Sequence, residues 1–199
     1  MKKINKQKHA KMIGDYKGVV KNKVIVALLQ AYHDILDYDG MKSILREAEM
    51  MHLKDIGNKN PNDSVDFFSF KKIISAQNCL LYDSSILLFE IGKKFSFYLF
   101  PFGINFEEII ENINSLIITD WKVEIIENNL DEITVRVDKC IFCSEIGVSC
   151  ALFAGFLVYS LQKSLPSDFF VNYEMDKQDI NNQNHNNFVI KLKINRNFK

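Results

Sequence analysis

The hydrophobic period of this chain changes near residue 120, and that change restricts the fold more than any other feature. Upstream, apolar residues recur three and four apart, as at Val20, Val24, Ala27, Leu28, Ala31, Ile35 and Leu36, the stripe of an amphipathic helix. The same spacing predicts helices over 41–52, 65–76, 80–100 and 106–118, the 80–100 segment apolar on several sides and mostly buried. Gly40, Gly57, Pro61, Pro101 and Gly103 punctuate them. Downstream, Trp121, Val123 and Ile125 alternate with polar residues, as do Ile133, Val135 and Val137, about Asn128 and Asn129. That is the period of two half-buried strands joined as a hairpin. A last apolar helix over 149–163 is stopped by Pro166, and alternation returns at 169–174 and 188–194 around a long polar loop. The expected fold is α+β, a helical N-terminal half packed on a small antiparallel sheet of β-β-α-β-β order. It is read as a single domain over 19–199 behind a basic extension over 1–18.

Three of the four cysteines, Cys140, Cys143 and Cys150, fall where a strand runs into the last helix. Their spacing is that of a structural zinc site, provided a fourth ligand arrives from elsewhere. His185 suits zinc better than the local carboxylate of Glu145, so the expected set is Cys140, Cys143, Cys150 and His185. Two other readings stay open: small residues packed against the helix, or a redox pair of Cys140 and Cys143. Cys79 reads as a core residue. Glu90, inside an apolar run, reads as a buried hydrogen-bonded acid, and Glu174 as a strand-end acid bonded to backbone.

Lysine plus arginine balances aspartate plus glutamate at 25 each. A neutral chain lacks the concentrated positive field that nucleic acid requires. Eight lysines between Lys2 and Lys23 face only Asp15, which reads as a solvated terminus. No apolar core follows these lysines, so no signal peptide is expected. No run reaches the ~18 apolar residues of a membrane span. Reduced thiols then point to the cytoplasm. No phosphate loop, nucleophile elbow or paired histidine motif appears.

The C-terminal half resembles a 4-vinyl reductase-type domain. The resemblance rests on Val135 to Cys140, on Cys150 opening a helix that continues to Gly155 and Phe156, and on Val171 to Glu174. Asp39 to Leu45 and Leu88 to Gly92 are similar to segments of the longer archaeal members. The chain departs from that family between Glu174 and Phe188, where the usual cysteine pair and glycine are missing.

This resemblance implies a fold shared with transport-particle subunits of Golgi trafficking and with ligand-sensing domains of bacterial regulators. It implies a homodimer holding a small hydrophobic molecule. The expected lining is Phe89, Phe95, Phe97, Phe153, Phe156 and Leu157, from the 80–100 and 151–161 helices. Zinc is the cofactor expected, and no organic one. Binding is favoured over two alternatives, an enzyme acting on a tetrapyrrole or isoprenoid-like substrate and a non-catalytic assembly subunit.

Overall fold

The computed structural model describes residues 17–100, 104–143, 150–176 and 187–196. His185, Glu145 and nearly all of the basic extension lie outside these residues. Among the described residues, five helices and two antiparallel sheets build an α+β architecture, helical in its N-terminal half and sheet-rich in its C-terminal half. No helix among the described residues is long and apolar enough to cross a membrane.

The first helix, α1 (Asn22–Glu47), buries Val24, Ile25, Leu28, Ala31 and Tyr32 along one stripe. Two helices were expected here with Gly40 between them. The chain instead bends at Asp37, whose backbone has φ 62° and ψ −176°. That conformation costs a non-glycine residue about 1–3 kcal/mol. The Asp37 carboxylate offsets part of it by accepting from the Gly40 amide at 2.9 Å, restarting the helix.

Helix α2 (Phe67–Leu80) is capped by Asp66, which accepts from the Ser69 amide at 2.8 Å. Helix α3 (Ser85–Leu99) begins five residues later than expected, after a turn that leaves Tyr82 and Ile86 exposed. Helix α4 (Phe106–Leu116) is capped by Asn105 and carries Glu107 and Glu108 in its first turn, where the helix dipole favours negative charge.

Two short pairings were invisible to local spacing. β1 (Val19–Lys21) lies between β2 (Ser64–Asp66) and β3 (Ile117–Ile118), all antiparallel. Val19, Val20, Ile117 and Ile118 carry a helical period, but β-branched side chains suit an extended backbone once a partner strand is at hand.

The larger sheet has the order β4-β5-β7-β6, with β4 (Lys122–Asn128), β5 (Glu132–Asp138), β6 (Phe169–Asp176) and β7 (Phe188–Arg196). A bulge between Ile125 and Glu127 ends the strict alternation of β4. Helix α5 (Ala151–Ser164) joins β5 to β6 and is anchored by Gln162. Its amide nitrogen donates to Phe169 O at 2.7 Å, and its oxygen accepts from the Val171 amide at 2.9 Å.

Helices α3 and α5 cross at backbone contact. A Cβ on Gly92 would stand 1.8 Å from Leu152 O, and one on Gly155 would stand 2.1 Å from Phe89 O. The same crossing holds the buried Ser96–Ser160 hydroxyl pair at 2.8 Å. Small residues here allow the close approach, and hydroxyls satisfy one another where no water reaches.

Candidate functional site

At the end of β5 the chain turns through Lys139 (φ 52°) into Cys140, Ile141, Phe142 and Cys143. The four residues from Cys140 to Cys143 are all buried. Phe142, between the two cysteines, anchors the turn. Its ring stacks on Phe153 of α5 at 5.3 Å and meets Trp121, Phe70 and Phe95 within 6.0 Å. Cys150 stands at the N-terminal cap of α5. The sulfurs of Cys140, Cys143 and Cys150 lie within 4.8 Å of one another, and those of Cys140 and Cys150 are 3.1 Å apart.

A set of buried polar groups on α2 holds this turn. The Lys71 ammonium donates to the carbonyls of Ile141 (3.1 Å) and Cys143 (3.2 Å), and Asn78 donates to that of Phe142 (3.2 Å). Behind Asn78 the chain of bonds continues. Gln77 Nε2 donates to Asn78 Oδ1 at 2.9 Å, and the Tyr32 hydroxyl donates to Gln77 Oε1 at 2.7 Å. Burial pushes the Tyr32 phenol well above its ordinary pKa.

The three thiols differ. Burial opposes ionisation of Cys140. The hydrogen bonds it accepts from Cys143, Cys150 and the amides of Phe142 and Cys143 outweigh burial and hold it well below the usual thiol value. Cys143 is pushed up by the bond to Cys140, and Cys150 by burial and then by the same neighbour. Thiols so gathered can share a proton, bind a soft metal ion or join as a disulfide.

Lys71 has only 8% of its surface exposed, and its two carbonyl partners have no substitute in the packed interior. Lys71→Met keeps the stem and removes the donor. The expected cost is about 2 kcal/mol, because buried carbonyls lose charge-assisted bonds. A urea midpoint within experimental error of the parent would contradict this role.

The expected lining residues separate into two groups. Phe95, Phe153, Phe156 and Leu157 lie together in the core, where Phe156 packs on Phe153 at 5.4 Å and on Phe95 at 5.2 Å. Phe89 is half-buried and stacks on Tyr173 of β6 at 5.3 Å. Phe97 is 38% exposed, edge-on to Tyr98.

Three other expectations are corrected. Cys79 is exposed, not core, because the last turn of α2 swings it outward. Glu90 is partly exposed and pairs with Lys93 at 3.0 Å on the outer side of α3. Glu174 is exposed and pairs with Lys193 across β6 and β7 at 2.6 Å, not with backbone.

Sequence reading missed Lys71, Gln77 and Asn78. The signal was there: all three fall at helical spacing on the stripe of Phe67, Phe70 and Ile74. A polar residue on an apolar stripe needs a buried partner. A separate cleft of about 360 Å³ opens at the bend of α1, between Leu29, His33, Tyr38, Met41, Lys54 and Ile56.

No family model and no curated protein sequence matches the chain. Solved structures do match. An oxygen-binding H-NOX domain related to soluble guanylate cyclases, in its oxygen complex, aligns with 90% of this chain and 98% of its own at 12% identity and TM-score 0.58. A mutant of T. Tengcongensis H-NOX aligns with 90% of this chain and 100% of its own at 14% identity and TM-score 0.57. The Fe(II) unliganded H-NOX protein from K. algicida aligns over 90% and 99% at 10% identity and TM-score 0.55. Identities this low establish a shared fold, that of the H-NOX domains.

The shared fold corrects the cofactor expectation. Zinc with no organic cofactor was expected, whereas H-NOX domains bind haem, an organic cofactor. A haem iron needs an axial donor facing an apolar slot. The described inner faces of α3, α4 and α5 present Phe95, Phe106, Ile109, Ile113, Phe153 and Phe156. The described histidines, His33 and His52, are exposed, so among the described residues no histidine stands at this apolar interior.

Proposed function

We propose that this chain is a small-molecule sensing domain, working as a homodimer and belonging with the 4-vinyl reductase-type domains that its motifs resemble. The observation that carries the reading is the extent of the fold. Nine-tenths of the chain is taken up by an arrangement that, in one solved relative, constitutes an oxygen-binding domain almost end to end. The ligand class is small and apolar, in keeping with an interior built from phenylalanine, tryptophan and branched aliphatic side chains. Exposed apolar residues at the turn before α3 and in its first turn, Tyr82, Ile86 and Leu87, support self-association.

Native mass spectrometry of freshly purified protein, compared with the denatured mass, tests this reading. A dimer carrying an added mass that passes into an organic extract is the expected result. A bare monomer that also binds no member of a panel of small apolar compounds in a thermal-shift screen would sink it. Titration with hemin runs alongside. A Soret band that saturates at one equivalent per chain would show that the chain takes up haem.

A further inference from the structure

We propose that Cys140 and Cys150 form a reversible disulfide linking the end of β5 to the start of α5. This modification stands independently of the sensing function. Geometry brings the pair together. Their sulfurs are 3.1 Å apart, about 1 Å more than a disulfide bond of about 2.05 Å. The sequence alone suggested Cys140 with Cys143, the nearer pair along the chain. The structure also brings Cys140 to a cysteine ten positions away.

Both sulfurs are mounted on fixed elements. Cys140 leads the turn whose next three carbonyls are held by Lys71 and Asn78, with the Phe142 ring wedged into the aromatic core. Cys150 caps α5, whose first turn meets Gly92 of α3 through Leu152 at backbone contact. Neither sulfur needs a large excursion to meet the other. Cys143, within 4.8 Å of both, is placed to open the bond by exchange.

A peroxide supplies the oxidising equivalents. One thiolate of the pair attacks a peroxide oxygen and the O–O bond breaks. This leaves a sulfenic acid and a hydroxide, which takes up the proton the thiol released. The second sulfur attacks the sulfenic sulfur, the S–O bond breaks, and the departing hydroxide leaves as water with the second thiol proton. Two thiols give up two electrons, and one hydrogen peroxide becomes two waters.

The test uses the full chain, reduced and then treated with hydrogen peroxide in small excess. The unreduced protein is digested and its linked peptides are identified by mass. The expected result is a loss of 2 Da, a linked peptide pair containing Cys140 and Cys150, and full return of the free thiols with dithiothreitol. Cys79→Ser removes the exposed cysteine and should leave this pattern intact. Cys143→Ser should retain the link but slow its reduction several-fold.

A dominant Cys140–Cys143 link would overturn the proposal. So would oxidation confined to Cys79, or sulfinic acid at Cys140 without any link. Peptide mapping of the parent chain decides the matter even if Cys140→Ser or Cys150→Ser does not fold.

Discussion

Phe153→Ala is expected to lower stability by about 4 kcal/mol. The ring is fully buried. It stacks on Phe142 at 5.3 Å and on Phe156 at 5.4 Å, and it meets the Trp121 indole edge-on at 5.5 Å. Removing a buried phenylalanine ring costs about 3–5 kcal/mol, the upper part applying where neighbours cannot collapse into the gap. Here they cannot. Trp121 Nε1 is tied to Ile117 O at 3.0 Å, and Phe142 is fixed by the polar clamp on its turn. Phe97→Ala, on the same helix as Phe95 but 38% exposed, should cost under about 1 kcal/mol. Chemical denaturation of both variants checks the contrast, and equal losses would show that the aromatic cluster is not a rigid unit.

The second large effect is expected at Gly92. Replacing it with alanine improves helix propensity by about 1 kcal/mol. The new methyl, however, would stand 1.8 Å from Leu152 O, 2.8 Å from Leu152 C and 2.9 Å from the Phe156 amide. All three are backbone atoms of a helix, so no side chain can swing aside. Helices α3 and α5 must separate, disturbing the Ser96–Ser160 bond between them. Overpacking of this kind costs about 3 kcal/mol or more, so the net change is expected near 2–3 kcal/mol of destabilisation. Gly57→Ala is the control, because nothing lies within 4 Å of the added carbon. A more stable Gly92→Ala protein would mean that the crossing is looser than its geometry indicates.

Much of the architecture was legible because hydrophobic period reports burial directly. The β4–β5 hairpin, α5 and the second strand pair stand close to where alternation and helical spacing put them. What escaped was set by distant partners. Val19 and Val20 read as the first turn of a helix, yet they pair with residues 64–66 and 117–118. The bend in α1 sits at Asp37 and not at Gly40, because a carboxylate that can cap the next turn outweighs glycine's freedom.

The site divides in the same way. Three cysteines announced themselves by spacing, but spacing along the chain offered Cys143 as the partner of Cys140, and only the fold shows Cys150 3.1 Å from it. Lys71 lies seventy residues from the carbonyl it binds, and only its odd position on an apolar stripe hinted at a buried partner.

The row of buried bonds from α1 to the cysteine turn has a direction. Phe142 O can only accept, so Asn78 must turn its NH2 toward it and its oxygen toward Gln77. Gln77 is thereby obliged to offer its oxygen to Tyr32, whose hydroxyl must donate. One carbonyl beside the thiols thus dictates where a proton sits on a phenol two helices away. Were that carbonyl drawn off, both amides would be free to rotate and the phenol to reverse from donor to acceptor. The interior therefore holds a message of one bit about the position of the turn, written in the orientation of bonds.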